Sequence, residues 1–224
     1  MMINKLFKFI IFLALWLTST AHANCDFDDF PVMDEMTIQV LMDNANYNNR
    51  PMMIRNFVAD MSYQAIVKHY HKIWDKRYDD TAFGIWHQIT TMTDDCMMTV
   101  QIAGSGSSPT AGRLVISNPP TAAANEVLGE DILMPTDSDV VSDLVTTDGP
   151  KKGRVTMIAT GGSPSEVANF YFSEMQNDGW DIDRQFVEGD SRMIAFRKGL
   201  NISNILIIPA GDFTQVLINE EIIK

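Results

Sequence analysis

The sequence predicts an α+β protein made of two tandem modules, each with one helix packed on an antiparallel sheet of three to four strands. The first observation is that one order of signals occurs twice: a short apolar stretch, a serine that opens a helical pattern, and alternating segments separated by turns. The second is that a helix with one apolar stripe, followed by strands, buries that stripe against one face of a sheet. The chain is 46% hydrophobic, which is typical of a globular protein.

The chain opens with the features of a signal peptide. Lys5 and Lys8 give a positive start, residues 6–17 are apolar except for Lys8, and small residues precede Ala23. This pattern predicts a signal peptide over residues 1–23, cleaved after Ala23, and a mature chain that is periplasmic or secreted. Because the apolar run is too short for a membrane span, we expect no transmembrane segment in the mature chain.

The predicted mature chain is strongly acidic. Residues 1–23 hold two of the 17 basic residues and none of the 29 acidic ones, so cleavage leaves a net charge of −14. Such a chain is repelled by nucleic acids and by anionic lipid headgroups, which excludes nucleic-acid binding. The charge favours basic partners, cations or simple solubility.

The mature chain contains two cysteines, Cys25 and Cys96. Outside the cytoplasm this pattern predicts one disulfide, which would close a loop of about 70 residues and stabilise the fold by roughly 4 kcal/mol. A lipoprotein cysteine at Cys25 is an alternative, but Asn24 stands where that motif needs a small residue. A catalytic thiol is also disfavoured because the sequence has no CxxC motif.

The first module is predicted over residues 24–118. Ser62 begins its helical pattern, Asp94-Asp95 forms a hairpin turn, and residues 96–102 form a strand. The glycine- and serine-rich stretch 104–109 is predicted to be a flexible loop. The apolar stripe of the helix is formed by Ile66, Val67, Tyr70, Ile73 and Trp74.

The second module is predicted over residues 134–224, after a linker at 119–133. Its helix has clear start and stop signals: Ser163 as the N-cap, Pro164 in the first turn, Glu166 completing a capping box, and Gly179 as the stop. An antiparallel meander follows. Its strands are predicted at 181–187, 192–198, 202–208 and 213–219.

The two modules show matched features in the same order, which indicates an internal duplication. The spacing between matched positions stays between 94 and 104 residues. The matched pairs are Pro31 with Pro135, 52–57 with 154–158, Ser62 with Ser163, Trp86 with Trp180, and 113–116 with 215–218.

Residues 134–219 resemble a module that recurs, singly or in tandem, in secreted bacterial proteins and lipoproteins. The resemblance implies the α+β fold and carries no activity or site residue. The first half departs from the pattern, because His69 replaces a phenylalanine and the gap from helix to Trp86 is longer. The residues that carry the resemblance are Pro135, Ser163, Glu166, Val167, Phe170-Tyr171, Gly179-Trp180 and Phe196-Arg197-Lys198-Gly199.

Sequence motifs assign no catalytic residue, cofactor or metal ligand. The sequence has no GxSxG, SxxK or HExxH motif. We interpret His69, His71 and His87 as surface or edge histidines, and Asp137-Ser138-Asp139 with Asp143 as a solvated acidic segment rather than a calcium site. The methionine-rich first half indicates soft core packing, with a methionine-lined surface for another protein as the alternative.

A basic group on the first helix and its tail contrasts with the acidic chain. It consists of Lys68, Lys72, Lys76 and Arg77. These cations complement the carboxyl end of a helix. The alternative is a docking face for an acidic partner or for the second module.

Together these observations favour a non-catalytic periplasmic binding or assembly protein of the bacterial cell envelope. We expect its partner to be another envelope protein, in a secretion or surface-appendage system. One alternative is a periplasmic protein that binds a small ligand or a metal, and a third is a hydrolase with a dispersed site. The sequence leaves the oligomeric state open.

Overall fold

A computed structural model describes residues 25–104, 108–120 and 127–223. The predicted signal peptide lies outside the described residues, as do parts of the predicted loop (105–107) and of the predicted linker (121–126). Within the described ranges, no helix is long and apolar enough to cross a membrane.

The described chain contains two α-helices and twelve β-strands, and the order strand, strand, helix, four strands occurs twice. We call residues 25–120 the first half and residues 127–223 the second half. The first half contains β1 (Met36–Tyr47), β2 (Arg50–Ala59), α1 (Tyr63–Ile73), β3 (Asp79–Phe83), β4 (Trp86–Met92), β5 (Met97–Ala103) and β6 (Thr110–Ser117). The second half contains β7 (Ser138–Asp148), β8 (Lys151–Thr160), α2 (Pro164–Asn177), β9 (Asp181–Glu188), β10 (Ser191–Lys198), β11 (Asn201–Ala210) and β12 (Phe213–Ile223).

All twelve strands belong to one antiparallel sheet, in the order β3-β4-β5-β6-β2-β1-β7-β8-β12-β11-β10-β9. The predicted fold class, two modules each with its own sheet of three to four strands, is therefore wrong. The prediction failed because it missed how β1 and β7 complete each half and join them. β1 contains two register shifts and β7 contains one, and such bulges interrupt the alternation that marks a strand.

The two halves meet where β1 pairs with β7. The ladder is short, with Ala45 opposite Thr146 and Tyr47 opposite Leu144. The Asn48 side chain extends it, because its Oδ1 accepts a 2.8 Å hydrogen bond from the Asp143 N–H. Ala45 and Thr146 both point away from the helices, so α1 and α2 lie on the same face of the sheet. We call that face the inner face and the opposite one the outer face.

Each helix packs on the inner face in the same way. Ser62 and Ser163 are the N-caps of α1 and α2, and Glu166 completes a capping box in α2. About two turns after each N-cap, a fully buried tyrosine reaches the segment that precedes the first strand of its half. Tyr70 Oη donates to the Pro31 carbonyl at 3.0 Å, and Tyr171 Oη donates to the Leu133 carbonyl at 3.2 Å.

The amino-terminal segment of the first half is held against β5. Cys25 and Cys96 lie at disulfide-bonding distance, with their Cα atoms 5.5 Å apart, and both are buried. Phe30 packs edge-on against Tyr70 and Trp74 in the same core. This segment therefore closes one end of the inner face.

Two matched pairs from the sequence do not occupy equivalent positions. By cross-strand register, 113–116 corresponds to 217–220 rather than to 215–218. Trp86 begins β4, whereas Trp180 lies just before β9, the strand that corresponds to β3. The two tryptophans therefore do not mark the same point of the repeated order.

Candidate functional site

The outer face of the second half carries an unbroken row of apolar side chains across five strands. From the sheet edge inward, Phe186 pairs with Met193, Met193 with Leu206, Leu206 with Leu217, and Leu217 with Met157. Directly opposed residues in an antiparallel sheet have Cβ atoms about 4.5–5.5 Å apart, so these side chains touch their neighbours. We call these five residues the apolar row.

The apolar row is accessible to solvent. Phe186 is 58% exposed, Met193 39% and Leu206 38%, while Leu217 and Met157 are half-buried. Single exposed apolar side chains are ordinary, but a contiguous group marks a surface that binds something.

The equivalent row in the first half is polar at every position. The same register joins Thr81, Gln88, Gln101, Arg113 and Asn56 across β3, β4, β5, β6 and β2. Because these residues occupy the same places in the repeated fold, folding does not require apolar side chains there. The apolar row is therefore a property of the second half that the fold leaves unexplained.

Acidic side chains border the apolar row at the end of the sheet that holds the β9–β10 and β11–β12 turns. This acidic border consists of Asp139, Glu188, Asp190 and Asp212, all of which are exposed. A protein that covers the apolar row meets this negative charge at one side.

The edge strand next to the apolar row is longer than the strand at the opposite edge of the sheet. β9 is an edge strand, and all eight of its residues are exposed. The opposite edge, β3, has five residues and begins with Asp79 and Asp80. Short, charged edge strands resist pairing with other chains. Both edges carry charges, since β9 contains Asp181, Asp183, Arg184 and Glu188, but β9 is the longer edge and also carries Phe186 and Val187.

The structure brings together two of the histidines, His71 and His87, that the sequence analysis interpreted as surface or edge residues. His71 Nε2 lies 2.7 Å from Asp80 Oδ2, and His87 bonds to the other oxygen of the same carboxylate. His87 also bonds to the Tyr63 hydroxyl. His69 lies elsewhere, in a groove beside α1.

The pKa shifts in this cluster indicate a structural role, in which the Asp80 carboxylate links two histidines. Burial acts to raise the pKa of Asp80, but the hydrogen bonds from His87 and His71 outweigh it and lower that pKa. Burial and the nearby Asp80 charge raise the pKa of Tyr63, so its hydroxyl stays protonated and is not an activated nucleophile. Within the described part of the chain, no group of three or more His, Cys, Asp or Glu side chains, this cluster included, has an arrangement that could hold a metal ion.

A second charged cluster lies on the inner face of the second half. Arg154 binds the Asp143 carboxylate through two bonds of 2.9 and 2.8 Å, and Thr156 Oγ1 donates to it at 2.9 Å. Burial acts to raise the pKa of Asp143, but these bonds outweigh it and lower the pKa. Asp143 is therefore a buried, fully bonded anion and not part of a solvated acidic segment, as the sequence predicted it to be.

Glu220 lies beside this cluster, and its carboxylate is less strongly hydrogen-bonded than that of Asp143. Burial raises the pKa of Glu220, and Ser203 Oγ lies 3.3 Å from its carboxylate. By cross-strand register, Ile116 and Met98 of the first half correspond to Glu220 and Ser203. At these two positions the inner face is apolar in the first half and polar in the second.

The predicted basic group lies on exposed parts of the first half. Lys68 and Lys72 line a groove of about 470 Å³ together with Asp34 and Glu35. The helix α1 ends at Ile73, so Lys76 and Arg77 follow it rather than complete its last turn. A docking role for the four cations stays a prediction.

Two further clefts could hold a small ligand. One, of about 450 Å³, lies beside the β1–β7 junction and is lined by Asp43, Asn44 and residues 146–148, among others. Asp43 is ion-paired with Arg55. The other, of about 360 Å³, lies on the outer face of the first half, where its lining includes Arg50.

The START domain-like family model matches residues 139–214, about a third of the chain. The match runs from the start of β7 to the start of β12 and falls inside the stretch 134–219 that carries the resemblance to a secreted module. No curated protein and no solved structure matches the chain.

Sequence reasoning missed the apolar row, although a signal for it was present. Strands of the second half contain three successive apolar residues, and alternation places the middle one on the outer face. The runs are 205–207 in β11 and 216–218 in β12. In the first half, the matching run in β5 is interrupted by Gln101.

Proposed function

We propose that this protein is a non-catalytic binding or assembly protein of the bacterial cell envelope, and that its second half binds a partner protein through the apolar row. The observation that carries the proposal is the difference between the halves at five equivalent positions. All five are apolar in the second half and polar in the first.

The surface suits a protein rather than a small molecule. The apolar row runs across an open sheet face, whereas small-ligand sites are concave and enclose most of the ligand. The acidic border adds charge on one side. The partner is therefore expected to present an apolar ridge flanked by basic side chains.

The ionisable clusters support a non-catalytic role. The carboxylate of Asp80 is shared by His71 and His87, and that of Asp143 is bound by Arg154 and Thr156. Each is satisfied within the protein, and neither contributes to the lining of the clefts described above.

The envelope location rests on the predicted signal peptide, the cysteine pair and the resemblance of residues 134–219 to a module of secreted proteins. We propose a role as an accessory to a secretion or surface-appendage system. Such systems assemble through protein surfaces of the kind that the apolar row provides.

The test replaces three exposed members of the apolar row with their counterparts from the first half: Phe186→Thr, Met193→Gln and Leu206→Gln. The tagged mature protein and this variant are expressed in the native host, and each is purified with its bound envelope proteins. We expect a stoichiometric partner with the wild-type protein and its loss with the variant, while the thermal unfolding midpoint stays close to that of the wild type.

The matched control changes the polar row instead, with Thr81→Ala, Gln88→Ala and Gln101→Ala. We expect this control to keep the partner. Equal binding by both variants, or loss only in the control, would contradict the proposal.

A further inference from the structure

The edge strand β9 has unpaired backbone groups that point away from the sheet. The turn that joins β9 to β10 is hydrogen-bonded, with Glu188 opposite Ser191. Bonded and non-bonded pairs alternate along an antiparallel ladder. Glu188, Phe186 and Arg184 therefore bond to β10, while the N–H and C=O groups of Val187 and Gln185 face outward.

The outer-face side chains of β9 are complementary to those of a second copy of β9 that runs antiparallel to it. Arg184, Phe186 and Glu188 alternate along the strand and share the outer face with Met193 and Ala195. When a second β9 runs antiparallel with Phe186 on a two-fold axis, Phe186 faces its own copy. The same register places Arg184 opposite Glu188 of the second copy, and does so twice.

This register also satisfies the backbone. It sets Gln185 of one copy opposite Val187 of the other, so the outward N–H and C=O groups of both strands meet. The competing registers that align these groups are worse. A two-fold axis through Arg184 places two like charges in contact, and an axis through Gln185 leaves Arg184 opposite Phe186. An axis through Val187 leaves Glu188 opposite Phe186.

Both charged side chains are accessible for such pairing. Arg184 is 73% exposed, and its nearest acidic group is Asp183 Oδ2, at 3.8 Å. Glu188 is exposed and forms no ion pair within the described ranges of the chain.

We infer that two copies of this protein form a symmetric dimer in which the β9 strands pair antiparallel about Phe186. The single chain already uses this kind of contact, because its equivalent strands β1 and β7 pair antiparallel and keep both helices on one face. In the dimer the apolar rows of the two copies become continuous on the outer face. The inference goes beyond the proposed function, which needs one copy only.

Charge reversal tests the dimer directly, with mass measured by sedimentation equilibrium over a range of protein concentrations. The wild-type mature protein is expected to show a concentration-dependent mass of two chains. Arg184→Glu and Glu188→Arg should each be monomeric, because each places like charges opposite one another twice. Mixing the two variants should restore the dimer, since every 184–188 contact then joins opposite charges.

A wild-type protein that stays monomeric at every concentration would overturn the inference. So would a dimer that survives both single variants, or a mixture that fails to associate while circular dichroism shows both variants folded. A wild-type protein that is monomeric but still binds its envelope partner refutes this inference alone. A stable dimer that binds no envelope protein refutes the proposed function alone.

Discussion

The two halves of this protein share one fold but differ in the polarity of one row of side chains on the outer face. Both have a serine N-cap and a buried tyrosine that bonds to the preceding segment. The first half has a polar outer row and an Arg55–Asp43 ion pair beside its inner core, whereas the second half has the apolar row and the Arg154–Asp143–Thr156 cluster on its inner face. Caps, helix stripe and register are thus enough to maintain the fold, and the remaining positions are free to serve binding.

The largest effect on stability is expected at the Arg154–Asp143 pair on the inner face of the second half. Arg154→Met installs the residue found at the equivalent position, Met53, and leaves the Asp143 carboxylate buried without its partner. We expect a loss of about 3–5 kcal/mol in the free energy of unfolding, measured by urea denaturation. The double variant Asp143→Leu with Arg154→Met should recover most of this loss. A single variant as stable as the wild type would show that the ion pair is not required.

Both cysteines of the chain lie in the first half, so their replacement is expected to affect the stability of that half. Replacing Cys25 and Cys96 with serine should lower the free energy of unfolding by roughly 2–4 kcal/mol, because the unfolded chain regains the freedom of a long loop. Hydrogen exchange should show the loss in the first half and little change around α2. An equal loss of protection in both halves would mean that the two halves unfold as one unit.

The helix caps should give a smaller effect. Ser163→Ala removes the N-cap oxygen and disrupts the capping box of α2, at an expected cost of about 1 kcal/mol. Ser62→Ala removes the cap of α1, which has Ala65 in place of the capping-box glutamate. We therefore expect Ser62→Ala to lower the thermal unfolding midpoint by no more than Ser163→Ala does. The opposite order would show that the glutamate adds nothing.

The smallest effect is expected at Glu220 and depends on pH. Its pKa in the folded state is raised above the ordinary value of 4.5. Stability therefore falls as the pH rises from 4.5 through the raised pKa, and the full penalty is present above that pKa. Glu220→Gln should therefore raise the thermal unfolding midpoint at pH 7. The gain should disappear as the pH falls below 4.5, where the wild-type carboxyl is protonated in both states. A gain that does not depend on pH would indicate packing rather than ionisation.

The local elements of the second half could be predicted from the sequence because their signals are local. Ser163, Glu166 and Gly179 mark the ends of α2, and the four strands after it begin within one residue of their predicted positions. β7 was missed because its acidic residues indicate a solvated segment. The Arg154 partner that permits Asp143 to be buried lies on the next strand.

The single sheet and the candidate site depend on pairing between strands, which leaves no signal in any one segment. The β1–β7 junction joins residues about 100 positions apart and shows no motif. Similarly, Phe186 and Leu206 become neighbours of Met193 only when the register of three strands is known. The same holds for the meeting of His71 and His87 at Asp80.

The most direct test of the binding surface compares two equivalent positions, one in each half. A photoreactive phenylalanine analogue is placed at Phe186 in one variant and at Thr81 in another, and crosslinking is done in intact cells of the native host. We predict a discrete adduct with an envelope protein from position 186, abolished by Leu206→Gln, and none from position 81. Equal crosslinking from both positions, or from position 81 alone, would contradict the claim that the second half carries the binding surface.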